Sequence, residues 1–398
     1  MKTYEKTHPW LSFQINMAGA KQTLWMLLGE ASSKCEHIAG VPLQPETAKR
    51  LHQLYLAKGA AATTAIEGNT LTEDQVLKRI EGKLELPPSK EYLGQEVDNI
   101  VNACNQIVKD LASGHDALTA QRAKDFNQLV LNGLTTLEKE VVPGKIRPYP
   151  VLVGNVYRGA PAEDCEYLLS RMCDWLAGPD FQAPENLKHA GIDTVYAILK
   201  AIVAHIYLAW IHPFGDGNGR TARLVEYALL VAAGVPQPAC HLLSNHYNQT
   251  RSRYYQQLDQ ASKSGGDILP FIEYAVQGYV DGLREQLDSV RAQQWTVSWI
   301  NYVHEIFRGK ESATHKRQRD LLLDLSMASD AVPAGKVSDL TPRIAKVYAS
   351  KTSRTLLRDL KELEKAGLIE RTAQGIRAKR EIILAFLPWR KPSVSAKK

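Results

Sequence analysis

The sequence predicts a mainly α-helical protein, with one small β-hairpin in its body and a basic C-terminal domain of helices and a second hairpin. Three observations carry this. Apolar residues recur at three and four spacing along stretches free of Pro, as in Leu93, Val97, Ile100, Val101, Ala103, Ile107 and Val108, the period of a helix with one buried face. One stretch behaves differently: between Gly144 and Gly159, Val, Leu and Tyr cluster around Gly154-Asn155, a strong hairpin signal. The last ninety or so residues hold helix-like runs followed by two strand-like pieces, and 398 residues leave room for two or three domains.

In chain order, residues 1 to about 43 mix apolar and polar positions, and Pro42 and Pro45 bracket a break. Pro45 suits the first turn of a helix from Glu46 to Lys58. Gly59-Ala60 is expected to interrupt it before a second helical stretch that stops at Gly68-Asn69. Thr72 caps the next helix. Pro87-Pro88 marks a boundary, followed by helices over Tyr92–Leu111 and Ala117–Leu131, the latter stopped by Gly133. After the hairpin come Pro161–Trp175, a Gly178-Pro179 break, and an apolar helix from Asp193 to Trp210 that Pro213 ends. A second helix starts at or just after Asn218, then a turn at Gly234–Pro238, then Asn248–Leu258. At the C-terminal end, helices are expected over Lys316–Met327, Val337–Tyr348 and from Ser350 to a stop at Gly367, with strands over Leu368–Thr372 and Ile376–Ala385. The division read from this is an N-terminal helical region 1–90, a core 91–290, a linker helix 291–310, a C-terminal domain 311–390 and a basic tail 391–398.

The net charge of +6 is unevenly spread. From Glu311 onward there are 19 Lys+Arg against 10 Asp+Glu, whereas the residues before it carry 30 against 33. The C-terminal region alone is basic, which points to an anionic partner for that part. Five scattered cysteines, without a CxxC pair, read as reduced thiols rather than a disulfide framework or zinc site. No run of eighteen apolar residues and no basic-then-apolar leader is evident, so cytoplasm and no membrane partner are the expectation.

The chemistry concentrates in Ile211-His212-Pro213-Phe214-Gly215-Asp216-Gly217-Asn218-Gly219-Arg220-Thr221-Ala222-Arg223. Gly217, Asn218 and Gly219 fall at a helix N-terminus, where orphan backbone N–H groups and the macrodipole favour an anion. Arg220 and Arg223 are three apart and share a helix face, so both can reach the outer phosphates of a nucleotide. Asp216 is a hard oxygen ligand of the kind Mg²⁺ takes beside phosphate oxygens. His212 can accept a proton near neutral pH. Together these read as a phosphate-transfer centre.

This run resembles, without gap or substitution, the His-Pro-Phe-x-Asp/Glu-Gly-Asn-Gly-Arg-x-x-Arg signature of the Fic family. The resemblance implies a Fic-type helical bundle and transfer of AMP from ATP to a hydroxyl of a target protein. It implies His212 as base, Phe214 as loop anchor, Asp216 as Mg²⁺ ligand, Gly217, Asn218 and Gly219 as anion hole, and Arg220 and Arg223 on the β- and γ-phosphates. Thr63, Glu67 and Gly68 resemble the family's inhibitory motif, which implies that Glu67 pairs with Arg223 and holds the enzyme back. The hairpin resembles the family's flap, which implies that Val153, Gly154, Asn155 and Val156 lie against the nucleotide and the target. Tyr254-Tyr255, which composition alone would make one ring inward and one outward, is similar to a pair lining the nucleobase side; some members add an Asn where this chain has Ser262. His189 and His205 have no ligand partner at helical spacing and are read as packing or surface residues.

The C-terminal helices and hairpin resemble a winged helix-turn-helix, with Lys351, Arg354 and Arg358 on the second motif helix and Arg371, Arg377, Lys379 and Arg380 on the wing. That arrangement suits DNA phosphates, and equally a protein or dimer contact. The expected function is therefore a Fic-type protein adenylyltransferase with ATP and Mg²⁺ as cofactors. Its expected partners are ATP, a target protein on the flap, DNA at the winged helix and a second copy of the chain. The alternatives are a nucleotide-sensing DNA-binding regulator, or a Fic member with different transfer chemistry.

Overall fold

The computed structural model describes residues 2–134, 138–154, 157–187 and 191–384. The chain divides into two compact units, Met1–Asp288 and Ser289–Lys398.

The first unit runs α1 (Thr3–Thr7), α2 (Gln22–Ala39), α3 (Pro45–Ala65), α4 (Glu73–Ile80), α5 (Glu91–Ala112) and α6 (Ala120–Leu131). It continues with the hairpin β1 (Leu152–Val153) and β2 (Tyr157–Arg158), then α7 (Cys165–Ala177), α8 (Ile192–Ile211), α9 (Asn218–Ala232), α10 (Leu242–Gln249) and α11 (Arg251–Lys263). The strands pair antiparallel, Leu152 opposite Arg158 and Val153 opposite Tyr157. Its axis is α8, whose Ile202, Val203, Ile206, Leu208 and Ile211 are fully buried against Val225, Ala228 and Leu230 of α9. By length and composition α8 is apolar enough to cross a membrane, with mean hydropathy 1.7, but 72% of that window is buried in the structure, as a core helix requires.

Two local expectations change here. α3 runs unbroken through Gly59-Ala60. Gly59 serves packing rather than a turn, because a Cβ there would collide with the His241 ring. α2 was not expected; its buried stripe of Leu24, Leu28, Ala31 and Cys35 has helical spacing, but exposed Trp25 and Met26 blur it. α4 begins where Thr72 caps it, completed into a capping box by Gln75.

The helix expected as a linker over 291–310 is the continuation of α12 (Leu269–Ile306). Its Trp299 and Val303 lie in the core of the second unit with Leu321, Leu322, Leu325, Ile344, Leu360 and Ile376. That unit adds α13 (Ala313–Met327), α14 (Pro342–Tyr348), α15 (Ser353–Lys365) and the antiparallel pair β3 (Ile369–Thr372) and β4 (Gly375–Ala378). The helix expected from Val337 to Tyr348 is divided into a 3₁₀ turn, Ala334–Asp339, and α14, because Thr341 caps a new start with Pro342 in its first turn. The second strand is shorter than expected: a 3₁₀ turn, Arg380–Ile383, replaces its end. The expected basic tail 391–398 lies outside the described residues.

The basic surface of this unit is narrower than its charge count. Arg354 and Arg358 are exposed on α15, whereas Lys351, expected on the same helix, is exposed two residues before its start. On the hairpin side, Arg371 pairs with Glu364 and Arg377 with Glu370 and Glu381. Arg380 donates to Ser326 O and Thr296 Oγ1 and covers the Trp295 ring.

Candidate active site

α8 ends at His212 in a left-handed conformation, φ 50°, which costs a residue with a Cβ about 1–2 kcal/mol. Arg147, itself 2% exposed, holds the turn. Its Nε donates to His212 O at 2.7 Å, while its two terminal nitrogens donate to Tyr149 O and Ala160 O. Its backbone N–H donates to Pro213 O at 3.0 Å, beside a bridge between Ile146 and Phe214. Phe214 is fully buried and anchors the loop from below.

The loop itself is stapled. Asn218 accepts from Phe214 N at 2.9 Å and donates to Phe214 O at 2.8 Å. Its side chain is thus spent on the loop. Gly217 sits at φ 73° as the residue before α9, a conformation glycine adopts freely. From α6, buried Asn127 donates to Asp216 O at 2.9 Å and Thr221 Oγ1 at 3.2 Å, and accepts from Gly144 N at 3.0 Å. The N-terminus of α9 is therefore fixed as a cradle before any ligand arrives.

Cations converge on this cradle. Arg220 reaches Asp216 at 3.4 Å and Glu96 at 3.5 Å. Arg223, with 1% of its side chain exposed, meets Glu67 Oε1 at 2.5 Å and donates to Thr63 O at 3.0 Å. Its Nε and Nη1 have no partner among the described residues. Glu67 is brought here by the end of α3: Asn69 N donates to Thr64 O and Gly68 N to Ala65 O, with Gly68 at φ 103°, a Schellman termination. That places a carboxylate at the negative end of a helix dipole, where it is disfavoured without a cation. Burial pushes the Glu67 carboxyl up, but Arg223, Arg220 and His212 together hold it below its usual value. Burial pulls the Arg223 guanidinium down, and Glu67 more than restores it. A Cβ on Gly219 would collide with the Glu67 carboxylate, so that carboxylate lies on the cradle itself.

His212 Nδ1 lies 3.3 Å from Ala209 O. A carbonyl can only accept, so Nδ1 carries the hydrogen and Nε2 keeps its lone pair. Burial drives its pKa down to about 4, with the Ala209 carbonyl opposing, Arg147 adding to the fall, and Glu67 and Asp216 opposing. At neutral pH it is an uncharged base.

His212, Gly219, Arg223, Glu67, Val153, Gly154, Tyr254 and Tyr255 line one cavity of about 450 Å³. Asp216 and Gly217 in the loop, and Asn218 and Arg220 in the first turn of α9, are not among its lining residues. Thr63 contributes through its carbonyl and Gly68 through the turn, neither through a side chain. Asn155 and Val156 lie outside the described residues. Tyr254 is buried and Tyr255 is 43% exposed, so one ring points in and one out while both line the cavity.

Sequence reasoning missed Asn127, Arg147 and a buried network behind Tyr254. His205, read as having no partner, has one on the next helix: its Nδ1 lies 3.2 Å from Glu226 Oε2, and Tyr247 donates to Glu226 Oε1 at 2.9 Å. Its Nε2 contacts Tyr254 Oη at 2.8 Å. An ionisable Glu226 in the middle of the apolar run 224–233 was the available signal. Asp216 stands as a single carboxylate, 47% exposed; among the described residues no group of three or more His, Cys, Asp or Glu side chains could hold a metal ion.

Residues 117–230 match the Fic/DOC family. Protein adenylyltransferase Fic of Nematostella vectensis is 30% identical over 257 residues, 65% of this chain and 55% of that protein. Protein adenylyltransferase fic-1 of Caenorhabditis elegans is 27% identical over 240 residues, 57% of this chain and 42% of that one. The chain spans about half the length of these curated relatives. A solved Fic family protein from Desulfovibrio desulfuricans G20 superposes with a TM-score of 0.56 at 20% identity, over 92% of this chain and 98% of that one. A fragment of Fic-1 from C. elegans does so with a TM-score of 0.53 at 24% identity, over 68% and 73%. These two share the fold.

Proposed function

Residues 117–230 form a Fic/DOC domain, and from that premise we propose that the chain is a protein adenylyltransferase held back by its own Glu67. The observation that carries this reading is a carboxylate lying on a preformed anion cradle, in the same cavity as a neutral imidazole. The names of the curated relatives support the activity.

In this reading, ATP places its outer phosphates on the α9 N-terminus, where Arg220 and Arg223 meet them in place of Glu67. The unpartnered Nε and Nη1 of Arg223 then find acceptors. The target's Ser, Thr or Tyr hydroxyl approaches the α-phosphate, and His212 Nε2 takes its proton as the oxygen attacks. A bond forms from that oxygen to the α-phosphorus, the bond to the bridging oxygen breaks in line, and pyrophosphate leaves with its charge held by the cradle. The half-exposed Asp216 is a hard oxygen donor that would hold Mg²⁺, which would offset phosphate charge when bound. The target segment adds as a strand beside β1, whose Leu152 is 59% exposed.

The order of α13, α14, α15 and the β3–β4 hairpin supports a winged helix-turn-helix for the second unit. The exposed Lys351, Arg354 and Arg358 support DNA as its anionic partner. Replacing all three by Ala should abolish salt-sensitive retention on duplex DNA; unchanged retention contradicts that assignment.

The enzyme reading is tested with Mg·ATP labelled at the α- or the γ-phosphate and cell lysate as acceptor. Protein-bound α-label from Glu67→Gly that is lost in Glu67→Gly with His212→Ala supports it. A γ-label on protein means phosphate transfer instead, and nucleotide binding without either label means a sensor.

A further inference from the structure

We propose that Asp259 reads the exocyclic amine of the nucleotide's base, an assignment that rests on the reading of the cavity as a nucleotide site. His212, Glu67, Arg223 and Gly219 belong to the cavity's phosphate end. Away from them the wall carries three phenols, and each hydroxyl is already committed to protein. Tyr157 donates to Trp210 O at 2.8 Å, and Tyr255 donates to Ile66 O at 3.3 Å. Tyr254 is committed through the buried network, its Oη lying 2.8 Å from His205 Nε2. The Tyr157 and Tyr255 rings therefore offer a ligand their faces and edges rather than their hydroxyl hydrogens. The side chains of Ile66, Ala209 and Leu258 add apolar surface.

Asp259 is the carboxylate on this part of the wall. It lies one helical turn beyond Tyr255 on α11 and lines the same cavity. Its Oδ2 takes Lys263 Nζ at 2.6 Å, and Oδ1 has no partner among the described residues. The Ser262 hydroxyl, at the neighbouring position on this helix, is turned to Asp259 O at 3.0 Å and competes for nothing in the cavity. An ionised carboxylate only accepts. It complements a base that presents an amine, such as adenine or cytosine, and opposes one that presents a carbonyl at the same edge, such as hypoxanthine or uracil.

The test uses the full chain carrying Glu67→Gly, with and without Asp259→Asn, titrated calorimetrically with Mg²⁺ complexes of ATP, inosine triphosphate and 2′-deoxy-ATP. The parent is expected to bind ATP at least about 10-fold more tightly than inosine triphosphate, the range of one charge-assisted hydrogen bond at a partly exposed site. Asp259→Asn, whose amide donates as well as accepts, should bring that ratio near one while its melting temperature stays that of the parent. A parent that does not discriminate overturns the assignment of Asp259 and leaves the proposed function standing. So does a ratio that Asp259→Asn leaves unchanged, or an effect confined to 2′-deoxy-ATP against ATP, which would place the carboxylate on the ribose. Failure to bind any triphosphate overturns the proposed function and this assignment together.

Discussion

Each unit buries an arginine against a carboxylate, and the two pairs are built differently. In the second unit, Arg317 donates to Asp359 from Nε at 2.6 Å and from Nη2 at 3.2 Å, while Gln318 and Tyr348 donate to the same carboxylate at 3.1 and 2.9 Å. Asp359 is completely buried and its oxygens are filled. In the first unit, Arg223 meets Glu67 through one nitrogen, its Nε and Nη1 have no partner among the described residues, and Glu67 keeps 34% of its side chain exposed. A buried charge with all its hydrogen bonds made is a structural joint. A buried cation with open donors beside an anion cradle, covered by a carboxylate that solvent can reach, is a site waiting for a different anion.

This contrast should show first in stability. Asp359→Ala leaves Arg317 buried without its counter-charge and should cost about 3–5 kcal/mol in urea unfolding of the second unit. Arg147 is the case that separates location from construction. It lies at the active site but is filled like Arg317, donating to three carbonyls. Arg147→Ala should therefore cost about 2–4 kcal/mol, from one buried charge and the carbonyls it leaves unmet, and transfer should fall with it as His212 loses its turn. Glu67→Ala, by contrast, should cost no more than about 1 kcal/mol, because solvent or a free anion can replace an exposed carboxylate. A loss as large as that of Asp359→Ala would erase the distinction.

The smallest effect is in the pH dependence of the first unit. Burial holds His212 and His246 down to about 4 and His241 down to about 3, against an ordinary value of 6.5. The unfolded chain binds protons at these groups as pH falls below 6.5 and the folded chain does not, so their contribution is intact above 6.5 and declines toward pH 4. Unfolding at pH 7 and pH 5 should show the first unit weakened at the lower pH, and stability that is flat or rising toward pH 5 contradicts the burial of these rings.

The parts of the site that are contiguous in sequence were legible there. The run 212–223 needs only a helix end, a glycine turn and a helix start, all set by neighbours along the chain. Glu67 was legible only through the resemblance of Thr63, Glu67 and Gly68 to the family's inhibitory motif, since a Glu before the Gly68-Asn69 stop reads locally as a surface residue. What was not legible is what holds these pieces still. Asn127 acts on Asp216 from 89 residues away and Arg147 on His212 from 65, and no local period marks an Asn on a helix or an Arg before a proline as a brace. The same holds for Gly59, whose meaning depends on the His241 ring, and for Glu226, which only the crossing of α8 and α9 brings to His205. In the second unit, composition showed the positive charge but not that Glu364, Glu370 and Glu381 neutralise much of the hairpin's share.

The most direct test of the account is a double-mutant cycle on transfer of α-label from Mg·ATP, with wild type, Glu67→Gly, Arg223→Met and the two combined. If Glu67 inhibits by occupying Arg223 and the cradle, Glu67→Gly raises the rate at least about tenfold in the wild-type background, equivalent to about 1.4 kcal/mol, and the gain vanishes when Arg223 is Met. An equal gain in both backgrounds would mean that Glu67 restrains the enzyme by some route other than this ion pair.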